Sequence, residues 1–170
     1  MDKYEHFTKL IDNAAAAFKQ IDKKEVIRVI SHLDADGISA CAILIKLLSI
    51  DNRKYSISIV QQLNEGVLRQ LAAEPYNSFV FTDIGSGVIE DIQKFLKDRK
   101  VLVLDHHSTS ITEFGDIIFV NPHLCGIDGG KEISGAGVVF RFACAVDNTI
   151  EELAHIAIIG AIGDLQEQNG

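Results

Sequence analysis

This 170-residue sequence has little of what disulfide-stabilised or disordered proteins depend on. It contains two prolines, three cysteines and no tryptophan. Cys41, Cys125 and Cys144 are odd in number, far apart and without a C-x-x-C pair, which is typical of reduced thiols rather than a disulfide framework. Hydrophobic residues make up 47% of the chain, enough to form a core, so a disordered chain is excluded.

Long apolar runs are also missing. The longest near the C-terminus, residues 156–162, is far shorter than the about 20 residues that a membrane helix needs. The first 20 residues mix charged with apolar side chains and do not resemble a secretory signal. We therefore expect a cytoplasmic protein of one domain, residues 1–170, that makes no membrane contact.

Positive charge is scarce. The net charge is −8, and the sequence has no basic stripe of the kind that binds long duplex DNA. The charge at a site differs from the charge of a whole surface, because two bound divalent cations would halve this value. Phosphate esters therefore remain possible substrates.

Helical and strand-like segments alternate along the chain. Helices are predicted over residues 4–20, 37–50, 65–73, 86–98, 135–146 and 151–162, and strands over 26–30, 55–60, 79–81, 101–104 and 117–120. The uninterrupted apolar strands are typical of a sheet that is covered on both faces. The fold class predicted is α/β, a doubly wound and mainly parallel sheet with helices on both faces.

Three acidic clusters each follow directly on a strand-like run. They are His32-Leu33-Asp34-Ala35-Asp36-Gly37, Asp83 and Asp105-His106-His107. If these strands are neighbours in a parallel sheet, the clusters emerge at the carboxyl edge, where α/β folds place their sites. Carboxylates and imidazoles gathered there would bind divalent metal ions.

The first two clusters each have a simpler interpretation. Asp34 and Asp36 are two apart, so on an extended segment both carboxylates face one pocket. Alternatively Asp36 is the N-cap of the following helix and Asp34 is solvated. Asp83 alone is typical of a turn. Its alignment with the other clusters makes it a candidate to bridge two ions.

Asp105-His106-His107 is the strongest local signal. Two adjacent histidines after a buried strand are not typical core residues, because both imidazoles need partners. A neighbouring carboxylate can orient a metal-binding imidazole through its second nitrogen. Zinc bound through histidine is the alternative. The oxygen-rich set favours Mn²⁺ or Mg²⁺, and imidazole favours Mn²⁺ between the two.

Further candidates lie toward the C-terminus. Asp164 follows an apolar helical segment, where the helix dipole disfavours a carboxylate unless a metal ion offsets it, although a solvated turn residue is the alternative. Ser134, Gly135 and Gly137 form a small-residue turn into a helix, suited either to phosphate binding or to close packing. His123 is a candidate substrate contact on a loop.

The order and spacing of these motifs resemble the DHH phosphoesterase superfamily, over residues 26–164. Asp34-Ala35-Asp36-Gly37 and Ile133-Ser134-Gly135-Ala136-Gly137-Val138 most resemble the RecJ-like single-strand exonuclease branch, particularly its archaeal members. The pyrophosphatase and nano-RNA branches place their first histidine four residues before the first aspartate. This sequence has Ile30 there, so the role of His32 as a ligand stays open.

The resemblance implies two Mn²⁺ ions, with Mg²⁺ as an alternative. Asp36, Asp83, His106 and Asp164 would bind one ion, and Asp34 and Asp83, with His32, the other. Catalytic roles fall to Asp83, to Asp105 behind the histidines and to His107 beside the substrate phosphate. His123, Ser134, Gly135 and Gly137 are implied as further phosphate contacts.

The implied activity is hydrolysis of phosphodiester bonds in single-stranded DNA or RNA, or in short oligonucleotides, with roles in DNA repair and replication. Two alternatives stay open. One is a phosphodiesterase or pyrophosphatase for small substrates such as nano-RNA or cyclic dinucleotides. The other is a scaffold, because RecJ-like archaeal proteins can associate with the GINS replication complex. Family members generally carry a second, substrate-gripping domain, which we expect to be absent here and polymer turnover to be poor.

Overall fold

The computed structural model describes residues 2–166. Its helices are α1 (Lys3–Lys19), α2 (Ala35–Ile50), α3 (Glu65–Ala73), α4 (Ile89–Phe95), α5 (Gly135–Val146) and α6 (Ala154–Gly163). Its strands are β1 (Val26–His32), β2 (Lys54–Val60), β3 (Ser78–Thr82), β4 (Lys100–Leu104) and β5 (Ile118–Val120). Short 3₁₀ turns cover Ser86–Val88, Pro122–Cys125 and Asn148–Leu153.

Helix α1 is shifted by one residue from its predicted bounds, and three other helices differ by more. Helix α2 begins two residues early, because the Asp34 side chain accepts the Gly37 N–H and caps it there. The predicted helix 86–98 starts as a 3₁₀ turn and its α-helical part ends at Phe95, before Asp98 at a left-handed φ of 67°. The helix predicted from residue 151 becomes α-helical only at Ala154, after a 3₁₀ segment.

The strands of the described residues form one sheet in the order β2-β1-β3-β4-β5, and every pairing is parallel. The connection from β2 through α3 to β3 passes β1, so the direction of winding reverses between β1 and β3. Ligands of such sheets bind at this reversal, beyond the carboxyl ends of the strands. The predicted α/β class is confirmed.

Two apolar layers cover the sheet. On one face α1, α2 and α5 pack over residues such as Val29 and Val80, and Phe18 meets Phe142 edge to face at 5.5 Å. On the other face α3 and α4 pack over Phe79 and Phe81. Burying large aromatic and aliphatic side chains on both faces supplies the main stabilisation of the fold.

The three cysteines occupy fully or partly buried positions. Cys41 and Cys125 are buried, Cys144 is half-buried, and all three are free thiols. Across residues 2–166, none of the helices combines the length and apolar character that a membrane span requires.

Candidate metal centre

The carboxyl ends of three adjacent strands carry the predicted clusters. His32 ends β1, Asp83 follows β3 and Asp105 follows β4. The ladder continues one residue past each of the last two strands, because Asp83 N donates to Leu104 O at 2.9 Å and Asp105 N to Val120 O at 3.1 Å. Parallel register therefore brings the three clusters to one edge of the sheet.

Asp36 is held by a helix from another part of the chain. Its Oδ2 accepts the N–H of Gly135 at 2.6 Å, and its Oδ1 accepts the N–H of Ala136 at 3.0 Å. Asp36 lies in the first turn of α2, and Asp34 is the N-cap. The extended segment that the sequence predicted for these two carboxylates, and the alternative of Asp36 as the cap, are both wrong.

The start of α5 therefore differs from an open phosphate cradle. The N–H of Gly135 is engaged by Asp36, and Ser134 Oγ accepts the N–H of Gly137 at 3.2 Å as the helix cap. These groups fix a carboxylate and a helix end. Phosphate binding by Ser134, Gly135 and Gly137 stays a prediction.

Asp83 is the most confined carboxylate of the edge. It is 1% exposed, and within residues 2–166 neither of its carboxylate oxygens has a hydrogen-bond donor. Its backbone is left-handed, with φ of 56°, a conformation that costs an aspartate about 1 kcal/mol and is often found at functional sites. Burial, with a smaller contribution from Asp36, raises the pKa of Asp83 to about 7.

His106 faces Asp83 with one nitrogen and the protein backbone with the other. Its Nδ1 donates to Gly129 O at 2.7 Å, and its Nε2 lies 3.2 Å from Asp83 Oδ1 and 3.6 Å from Asp36 Oδ2. A carbonyl only accepts, so Nδ1 carries hydrogen and Nε2 is left for a proton or a metal ion. Burial lowers the pKa of His106, but Asp83 and Gly129 outweigh this and raise it to about 9.

Asp105 lies behind the histidines. Its buried carboxylate accepts the N–H groups of Ser86 and His106, both at 2.8 Å, and His107 Nδ1 at 2.7 Å. Burial opposes ionisation, but the hydrogen bonds from His107 and Ser86 overcome it and hold the pKa of Asp105 well below its usual range. Asp105 therefore remains a fixed anion that orients His107.

His32, like His106, has one ring nitrogen facing a backbone carbonyl and the other facing carboxylates. Nε2 donates to Gln61 O at 3.2 Å, which leaves Nδ1 at 2.7 Å from Asp34 Oδ2 and 3.8 Å from Asp83 Oδ2. Nδ1 has no hydrogen-bond partner among the described residues. A ring nitrogen turned toward two carboxylates needs a cation between them or a proton on the ring.

The donor atoms suit hard divalent cations. Within residues 2–166, three groups each bring their donor atoms within 4.8 Å of one another. They are Asp36, His106 and Asp164; His32, Asp34 and Asp83; and Asp83, Asp105, His106 and His107. Carboxylate oxygens predominate. In the same part of the chain, the buried side-chain atoms without a hydrogen-bond partner are Asp83 Oδ1 and Oδ2, His106 Nε2 and His32 Nδ1. Unsatisfied buried donors and acceptors are costly, and bound ions would satisfy these.

A cleft of about 370 Å³ opens beside these groups. Its walls include His32, Asp83 and His107, with Gln61 and Gln62 on one side. None of the lining residues is lysine or arginine. The side chain of His107 is 52% exposed, so this imidazole is available to a bound molecule.

Two further histidines, His123 and His155, are not among the candidate metal ligands of the described residues. His123 Nε2 accepts the N–H of Gly129 at 3.2 Å, so in the structure this ring supports a loop, and a contact with substrate stays a prediction. His155 lies in the apolar segment that forms α6, yet it is exposed and contacts Glu152 O at 3.0 Å. The apolar face of α6 is open at that point.

Two supporting residues were missed altogether. Asn121 is fully buried, donates to Ser86 Oγ at 2.8 Å and to His107 O at 2.9 Å, and accepts from His123 N. Its position directly after a strand is a signal that could have revealed it. Gln166 donates to Gly129 O and to Asp164, and nothing in its sequence surroundings indicates this.

Comparison with known proteins agrees with this geometry. Residues 26–162 match the DHH family, N-terminal domain. This chain belongs to the DHH family. An uncharacterized protein of Methanocaldococcus jannaschii is 36% identical over 166 residues, which cover 93% of this chain and 38% of that protein. The predicted superfamily resemblance is confirmed.

The RecJ likeness extends to both sequence and structure. The single-stranded-DNA-specific exonuclease RecJ of Bacillus subtilis is 28% identical over 177 residues, which cover 96% of this chain and 22% of that protein. A crystal structure of exonuclease RecJ bound to manganese superposes with a TM-score of 0.77 at 25% identity, covering 91% of this chain and 43% of that one. The chain thus spans less than half the length of these relatives.

Proposed function

We propose that this domain is a metal-dependent phosphoesterase that hydrolyses phosphodiester bonds of single-stranded nucleic acid, as a RecJ-like nuclease. The observation that carries the proposal is the convergence of unpartnered donor atoms on Asp83, His106 and His32 at one sheet edge. The similarity to a RecJ structure that contains manganese supports Mn²⁺ as the ion.

In this proposal two ions share the edge. Asp36, His106 and Asp164 would hold one ion, and His32 and Asp34 would hold the other, with Asp83 as a candidate ligand of both. Two divalent ions bound there would supply a nucleophile from water at neutral pH and would neutralise charge on the phosphoryl oxygens. The backbone N–H groups of Gly135 and Ala136 fix the Asp36 carboxylate for this purpose.

His107 is the proposed substrate contact. Asp105 holds its Nδ1 and so leaves Nε2 free for the cleft. The hydrogen bond to Asp105 raises the pKa of His107, which favours the imidazolium form of this ring. A positive ring at this place stabilises the phosphate, and it can deliver a proton to the leaving oxygen.

The cleft favours short substrates as a second candidate function. Its volume is about 370 Å³, and without lysine or arginine among its lining residues it offers a long polyanion no cationic side chain within the cleft. Hydrolysis of dinucleotides, cyclic dinucleotides or pyrophosphate would use the same ligands. Association with a GINS-type replication complex is a separate proposal from the family resemblance, and a pull-down with purified GINS tests it.

The test combines metal binding with turnover. The wild type and Asp83→Asn are first titrated with Mn²⁺. Both proteins are then incubated, in separate reactions, with a labelled single-stranded oligonucleotide of about ten nucleotides and with dinucleotides. We expect Mn²⁺-dependent release of mononucleotides by the wild type only. Equal hydrolysis by both proteins would reject the two-metal mechanism. Faster turnover of dinucleotides than of the oligonucleotide would select the short-substrate activity.

A further inference from the structure

Both backbone polar groups of Gly129 are hydrogen-bonded beside the candidate metal centre. Its N–H donates to His123 Nε2 at 3.2 Å. Its carbonyl accepts two donors, His106 Nδ1 at 2.7 Å and Gln166 Nε2 at 2.8 Å. Both lone pairs of this one oxygen are therefore used, and one of them fixes the orientation of a candidate metal ligand.

Gln166 makes a second contact within the same pocket. Its Nε2 also donates to Asp164 Oδ2 at 3.0 Å, so its two amide hydrogens go to Gly129 and Asp164. Gln166 is only 8% exposed, so this amide is removed from water. One oxygen of Asp164 is thereby engaged, and the other remains available to an ion.

The backbone before Gln166 is turned to make this contact. Helix α6 ends at Gly163, and Leu165 adopts a left-handed φ of 57° with its side chain 64% exposed. The left-handed conformation is unfavourable for leucine, and its exposed side chain gains little from burial. The turn brings Gln166 to Gly129 and Asp164, and the hydrogen bonds formed there offset the unfavourable backbone conformation of Leu165.

We propose that Gln166 is a positioning residue for one of the two ion sites, that of Asp36, His106 and Asp164. It acts by fixing the Gly129 carbonyl that orients the His106 ring and by aligning the Asp164 carboxylate. This inference rests on the proposed metal centre. The inference adds a residue that binds no ion itself and that supports one of the two ion sites but not the other.

The matched variants are Gln166→Met and Gln70→Met. Methionine keeps the length of glutamine at Gln166 and removes both hydrogen bonds, whereas Gln70 lies exposed on α3, away from the metal centre. Mn²⁺ binding is measured by the loss of the electron paramagnetic resonance signal of free Mn²⁺, a readout that needs no turnover. Changes to partners of metal ligands typically weaken binding about 10-fold to 100-fold.

We expect two classes of site in the wild type and in Gln70→Met. In Gln166→Met one class should weaken by about 10-fold to 100-fold, and the other should change less than about 2-fold. The titration is then repeated in a His32→Ala background, which removes a candidate ligand of the other site and should leave one strong class. Adding Gln166→Met to this background should weaken that remaining class by the full factor. General destabilisation would weaken both classes together.

The outcomes separate the two proposals. A wild type that binds no Mn²⁺ overturns the proposed function and this inference with it. A wild type that binds two ions, with Gln166→Met unchanged or weakened equally at both sites, overturns only the role of Gln166. Gln166→Glu provides a second check, because a carboxylate facing Asp164 Oδ2 and the Gly129 carbonyl should weaken the same class at least as strongly.

Discussion

Asp36 and Gly135 lie 99 residues apart in the chain and are joined by a 2.6 Å hydrogen bond from backbone N–H to carboxylate. The bond places the carboxylate at the N-terminus of α5, which is the positive end of the helix dipole. Helix α6 closes over the same carboxylate, since a Cβ on Gly160 would lie 2.4 Å from Asp36 Oδ1. Two helices thus converge on one ligand, and small residues permit it.

Gly135→Ala should disrupt ion binding. The added Cβ would lie 2.3 Å from Asp83 Oδ1, so the candidate bridging carboxylate must move. We expect Mn²⁺ affinity to fall by about 10-fold to 100-fold, as measured by calorimetric titration. Gly87→Ala is the control, because Gly87 lines the cleft and its Cβ would meet nothing within 4 Å. Matching affinities for both variants would contradict this account of Asp83.

The stability of the metal-free protein should fall as the pH rises from about 4 to about 9. The pKa values of Asp83 and His106 are raised to about 7 and about 9 in the fold, so both groups carry stabilising protons at low pH and release them as the pH rises through these values. Mn²⁺ needs the ionised carboxylate and the unprotonated ring, so its affinity should rise over the same range. Thermal unfolding and Mn²⁺ titrations at several pH values measure both trends.

Asp83→Asn should flatten the pH dependence of stability. This variant removes the carboxylate and, with it, the largest of the contributions that raise the pKa of His106. A profile as steep as that of the wild type would show that other groups control it.

His107→Ala should separate catalysis from metal binding. The ring is half exposed and contributes little to the core, so the variant should fold and bind Mn²⁺ as the wild type does. Phosphodiester hydrolysis should fall by about 10²-fold to 10⁴-fold, the usual contribution of a positioned acid or base. His155→Ala, an exposed histidine on α6, should leave the rate unchanged. Loss of Mn²⁺ binding by His107→Ala would make this ring a ligand.

Asp105→Ala should lower the free energy of unfolding by about 2–5 kcal/mol. The substitution leaves the N–H groups of Ser86 and His106 without their acceptor in a buried place. The pKa of Asp105 is lowered, so the wild-type advantage should be present above its ordinary value of 3.8 and shrink in acid. Urea denaturation measures the difference, and Asp12→Ala on the exposed face of α1 should stay within about 0.5 kcal/mol of the wild type.

The sequence by itself determined the sheet and the place of the site. Apolar runs predict the five strands, and acidic clusters follow β1, β3 and β4 at their ends. In a parallel sheet such ends share one edge, so local pattern and chain order suffice to bring Asp83 and His106 together.

Only the tertiary structure decided how the ligands are held. The partners of Asp36 are backbone groups about a hundred residues away, which no local pattern encodes. The bridge from Gln166 to Gly129 likewise depends on where α6 ends against a distant loop. Backbone N–H and carbonyl groups are the same at every position, so packing alone determines which of them meet a given side chain.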